Sequence, residues 1–178
     1  MSLFRACGII AVAVLSVFSA PSAHSHITLQ NQQAAIDGSY KAVLKVPHGC
    51  KGSPTVEIRI RIPEGVVDVR PQPKAGWSLQ TVAGQYARSY DLHGMQVNRG
   101  VKEVIWAGGS LPDDYYDEFV FVGYLSSDLI PDSHLYFPVV QECERSTTHW
   151  IDMSSINKNT HHGHSGYPAP SLKLLPRR

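Results

Sequence analysis

The sequence predicts an all-β chain, an immunoglobulin-like antiparallel β-sandwich with one disulfide, Cys50–Cys143. Three observations lead there. Apolar residues recur with period two in several short runs, and no stretch of ten or more residues carries helical spacing. Gly and Pro clusters separate the runs at intervals of roughly 8–12 residues, the spacing of a sandwich or barrel.

In chain order, the first segment stands apart from the sandwich. A basic start at Arg5, an apolar run over 9–18 and the small-residue exit Ala20-Pro21-Ser22-Ala23 follow the order of a secretory signal. That run is about half the roughly 20 apolar residues a membrane helix needs, and no later segment comes closer, so no membrane span is expected in the mature chain. Ala23 and Ser25 are the small residues that a cut before His26 requires, which assigns 1–25 to the signal. A cut after Ala23 is the alternative and would expose His24. Either way the mature chain opens with histidine and is expected in the periplasm or secreted.

The strands follow. Tyr40, Ala42, Leu44 and Val46 share one face of the first long run. Val56, Ile58, Ile60 and Ile62 alternate with Glu57, Arg59 and Arg61 up to the turn Pro63-Glu64-Gly65, as a half-buried antiparallel strand does. Further runs cover 101–107, 118–125 and 134–140. Trp77, Trp106, Phe119 and Phe121 are read as core aromatics, while the neighbours His149 and Trp150 fall on opposite faces of a late strand. Together these make one domain, 26–155. After Met153 the composition shifts to Ser, Asn, His, Gly and Pro, so 156–178 is read as a tail, with Leu172, Leu174 and Leu175 available to dock on the body.

Of the three cysteines, Cys7 lies in the signal, leaving Cys50 and Cys143 in an oxidising compartment. Their pairing is expected, and closing so long a loop stabilises by about 4–5 kcal/mol in the chain-entropy model. Two free thiolates on a soft metal are the alternative. The formal net charge is +1, and losing Arg5 makes the chain neutral, which argues against nucleic acid or anionic lipid as a partner.

For chemistry, the terminal histidine is the leading candidate. A first-position histidine offers its amine and its ring Nδ1 to one ion, closing a six-membered chelate that no internal histidine forms. Cu(II) stands at the top of the divalent affinity order and its tetragonal preference suits nitrogen and oxygen donors. Amine and imidazole, with ordinary pKa values of about 7.7–8.0 and 6.5, must both lose protons, so affinity falls in acid. Against this, any residue is able to follow a signal cut. A start at His24-Ser25-His26 would instead wrap Cu(II) or Ni(II) in a plane of amine, amides and ring. His161, His162 and His164 form a short His-rich tract, either loose metal capture or a solvated tail. His48 ends a strand beside Cys50, facing a metal or hydrogen-bonding a loop carbonyl. The acidic run 113–118 lacks the glycine and spacing of a calcium loop and is read as solvated. No nucleophile-elbow or zincin motif supports hydrolysis.

Beyond single residues, long ordered stretches carry a resemblance: His26-Ile27-Thr28-Leu29, 40–50, 62–66, 73–77, Trp106-Ala107-Gly108-Gly109, 111–119, 136–143 and Trp150. In these the chain resembles the YcnI-like copper-binding domains, a family of secreted bacterial proteins. The resemblance implies a β-sandwich whose Cu(II) site is built on the mature terminal histidine, with a carboxylate and a tryptophan nearby. His26 matches the histidine and Trp150 the tryptophan. Where the family has a glutamate seven residues after the histidine, this chain has Gln33, beside Gln32, a neutral and poorer copper ligand. Cys50, Cys143 and His48 mark a subgroup, in which a rearranged site using His48 is conceivable. The implied role is copper storage, delivery or tolerance without catalysis, with the copper ion and another copper-handling protein as partners. Two other functions compete: a metal-free interaction or adhesion module, and a copper oxidoreductase whose second histidine would be His48, His93, His134 or His149.

Overall fold

A computed structural model describes residues 26–154 and 167–177. In chain order the strands are β1 (Thr28–Leu29), β2 (Gln33–Ala35), β3 (Gly38–Val46), β4 (Thr55–Arg61), β5 (Val66–Pro71), β6 (Ser78–Leu92), β7 (Met95–Leu111), β8 (Asp117–Leu125), β9 (His134–Tyr136), β10 (Val139–Cys143), β11 (Thr147–Trp150) and β12 (Ser171–Leu175). The first sheet has the order β1-β3-β8-β5 and the second β11-β10-β4-β7-β6. A small third sheet, β2-β12-β9, flanks them. The all-β sandwich expected from the alternation is what forms.

Alternation explains the core. Tyr40, Ala42, Leu44 and Val46 of β3 are buried, as their shared face requires, and β8 adds Phe119, Phe121 and Leu125. The second sheet contributes Ile58, Ile60, Val104 and Trp106 to the same cluster. One residue departs from the expected face. Against β10, Glu142 and Cys143 pair with Glu57 and Thr55, so Val56 is one extra residue that breaks the period of two; Thr55 lies in the interior and Val56 is only half-buried.

The run read at 101–107 is the middle of a much longer hairpin, β6–β7, and β6 had no counterpart in the sequence reading. Two breaks in the register, at Val82/Ala83 and Gln85/Tyr90, interrupt the ladder. Within and just after the second break, Tyr86 and Tyr90 pack with Val67 in a second apolar cluster. Glu64 fastens this part of the hairpin: it accepts from the Tyr90 hydroxyl at 2.8 Å and the Ala87 amide at 3.2 Å, and pairs with Lys102. The neighbouring turn needs its glycine, since Gly65 has φ of 86° and a Cβ there would stand 2.5 Å from Leu129.

The run at 134–140 proves to be two strands in different sheets. Proline has no amide hydrogen to donate to a ladder, and the chain breaks at Phe137-Pro138 as it passes from β9 to β10. The boundary expected at 155 does not bound the core. Strand β12 runs parallel to β2 and antiparallel to β9, and Leu172 and Leu174 are as buried as any residue of β3. Leu175 is half-buried at the end of the same strand. Cys50 and Cys143 are disulfide-bonded, with Cα atoms 6.0 Å apart across 93 residues, so neither thiolate is left for a metal.

Candidate metal centre

The site begins with burial at alternate positions. Ile27 and Leu29 are each 1% exposed and pin the start of the described chain into the core, so Thr28 and His26 lie on the outer side. Pairing of Thr28 with Lys45 and of Leu29 with Leu44 holds β1 against β3. His26 is exposed and lines a pocket of about 450 Å³ with Thr28, Lys45, Pro47 and Tyr116. The Tyr116 hydroxyl donates to Glu118, and burial, then that carboxylate, push its pKa up to about 12.

Trp150 meets His26 from the other sheet. The two rings stand edge to face, centroids 5.8 Å apart at 84°. Since β1 and β11 are edge strands of the first and second sheets, the contact closes the seam between them. Trp150 is 4% exposed and its ring cannot swing freely. Its indole Nε1 donates to Gln141 Oε1 at 3.0 Å, and Tyr167 packs edge-on at 5.1 Å. Gln141 in turn donates through Nε2 to the His48 carbonyl and to Thr55 Oγ1, both at 2.8 Å. Sequence reasoning passed over Gln141, although it shares parity with buried Val139 and Cys143 and is therefore a polar side chain aimed at the interior.

The other candidates are spread more widely. Gln33 is exposed on β2, opposite Lys173, and is not among the pocket's lining residues. His48 is half-buried, its Nδ1 donating to the Gly49 carbonyl at 2.6 Å; it joins the Trp150 network through its main chain and does not line the pocket. His149 is exposed, on the face opposite Trp150 as expected. His93 packs on Tyr124 at 4.8 Å, and His134 is exposed on β9. The acidic run is tied to its surroundings: Asp113 accepts from the Gly52 amide at 2.7 Å and Asp117 from Lys74 at 2.6 Å. Trp106, Phe119 and Phe121 are core, with Trp77 packed edge-on against Phe119. Among the described residues no group of three or more His, Cys, Asp or Glu is placed to hold a metal. His24 and the tract His161, His162 and His164 lie outside the described residues.

Over residues 26–174 the chain matches the model of a domain of unknown function, DUF1775. The chain belongs to the DUF1775 family. This is the family that the sequence resembles under the YcnI-like name. The DUF1775 match begins at His26 and reaches Leu174 of β12, so it takes in both the candidate ligand and the last strand. Among solved structures, an uncharacterized protein from Nocardia farcinica with an immunoglobulin-like fold is similar, with a TM-score of 0.59 and 19% identity. The similarity covers 84% of this chain and 98% of that one, and it shows the fold of this DUF1775 domain as immunoglobulin-like. No curated protein matches.

Proposed function

We propose that this DUF1775 protein is exported, loses residues 1–25, and carries Cu(II) as cargo on the amino-terminal histidine so created, in periplasmic or extracellular copper storage, delivery or tolerance. One observation carries the reading: His26 is exposed at a pocket rim with its ring against the buried, hydrogen-bonded Trp150. A terminal histidine there supplies amine and imidazole nitrogens to one ion, a donor set suited to Cu(II). The indole gives the ring a firm wall on one side, which limits the conformational freedom that chelation would otherwise remove. The family match beginning at His26 supports the same starting point. Binding rather than catalysis is favoured because His48, His93, His134 and His149 are not among the residues that line the pocket with His26.

The test is His26→Ala in the secreted protein, its first residue fixed by mass. Loss of the tight Cu(II) site in a competition titration, with an unchanged unfolding midpoint, is the expected result. Equal affinity in the two proteins would place the site elsewhere.

A further inference from the structure

We infer that the outer edge of β6 pairs with the same edge of a second copy of this chain, joining two five-stranded sheets into one across a two-fold axis. The first and second sheets have two edges each, and three of those four are blunted. β1 is two residues long and β11 four. β5 carries the Asp68–Arg70 ion pair, ends in Pro71 and loses its register between Val67 and Arg70, where Asp68 has φ of 48°. Charge, proline and irregular backbone are the devices that keep an edge from pairing with another chain. The first half of β6 has none of them. Its register shift at Val82/Ala83 leaves the extra residue, Lys102, on β7, so β6 itself runs regularly from Ser78 to Gln85. The ten residues from Ser78 to Ala87 carry no charge and no proline. Among the described residues, 79–85 pair with no strand but β7. Leu79 packs on the core, whereas Gln80, Thr81, Val82 and Ala83 are exposed. Unpaired amides and carbonyls along such a row form a template for one more strand.

Charge selects a second copy as the occupant. Antiparallel pairing about a two-fold axis sets the segment against itself, so a charged side chain near the axis would meet its own like. This segment has none, and a charged peptide strand would find no opposite charge along it. The charges nearest in register lie one strand back on β7: Glu103 opposite Val82, Arg99 opposite Gln85, and Lys102, which pairs with Glu64. Across the axis each stands at least three strand spacings, about 14 Å, from its own copy, beyond the screening length of about 8 Å. Residues opposite one another share a face, so the axis passes through a residue, and the middle of the regular stretch offers Thr81 or Val82. Both are β-branched, the type that pairs well across strands.

Sedimentation equilibrium of the secreted protein at up to roughly 100 µM, a range that covers a small and therefore weak interface, reads the association. A monomer–dimer equilibrium is expected, with the outward amides of residues 79–85 exchanging more slowly with deuterium as concentration rises. Thr81 and Val82 are both exposed in the single chain, so Thr81→Lys/Val82→Lys should keep its urea midpoint while placing ammonium groups face to face at the axis. The double variant should weaken the dimer by roughly fivefold or more, and Val122→Lys, on the exposed side of β8, should leave it intact. A parent that stays monomeric over that range, or a dimer whose β6 amides exchange as in the monomer, overturns the pairing. So does equal association of parent and double variant, or a dimer lost in Val122→Lys.

Discussion

Gln141 shows how one buried amide orders the surroundings of His26. Three groups bond to it, the Trp150 indole, the Thr55 hydroxyl and the His48 carbonyl, and the first two bonds are buried away from water. Gln141→Leu should therefore destabilise by about 1–3 kcal/mol, the cost of leaving buried polar groups unpaired, read as a lower urea midpoint. A variant as stable as the parent would mean that the network does not fix Trp150. At this scale the sequence singled out His26 and Trp150, because one follows a signal-like exit and both fall on a long family resemblance, and the structure puts their rings in contact. It did not reveal that Gln141 joins Trp150 to His48, since hydrogen bonds between distant strands leave no mark in local spacing.

At the scale of elements, what was legible depended on how strongly a strand alternates. β3 and β8 bury one face fully and leave most of the other exposed or half-buried, and both were readable. β6 is an edge strand whose side chains are mostly exposed, so its sequence carries little apolar period to detect. β12 is only five residues long and follows a polar stretch, yet Leu174 is 1% exposed in the core. Leu174→Ala should cost about 2–5 kcal/mol in urea unfolding, as for other buried leucines, whereas a docked but dispensable tail would lose almost nothing.

The hairpin β6–β7 adds a pH dependence. Burial raises the Glu64 pKa, but hydrogen bonds from Lys102, Tyr90 and the Ala87 amide outweigh it and leave it below its ordinary 4.5. A carboxyl depressed in the folded state contributes stability that is fully present above its unfolded value and is lost as pH falls through the folded one. The contribution of Glu64 should thus hold above pH 4.5 and fade below it. Glu64→Gln is expected to be less stable at neutral pH and to show a shallower loss of stability below that point, measured by urea midpoints across the acid range. An acid limb identical to the parent's would show that Glu64 carries no such load.

For the whole molecule, the sandwich and its disulfide were legible because hydrophobic alternation and cysteine count act at every length scale at once. The arrangement of the sheets was not. Only in three dimensions do the outer edges of the first and second sheets meet, bringing a residue from the start of the domain against one from near its end. That seam gives His26 a fixed wall and an open pocket, the setting proposed for the cargo ion. The most direct measurement is an EPR spectrum of the secreted protein with one equivalent of Cu(II), before and after its terminal amine is acetylated, with intact mass giving the first residue. A chain starting at His26, with a single tetragonal signal showing amine and imidazole nitrogen that acetylation abolishes, is predicted. A chain starting with any residue other than histidine, or a signal that survives acetylation unchanged, would contradict it.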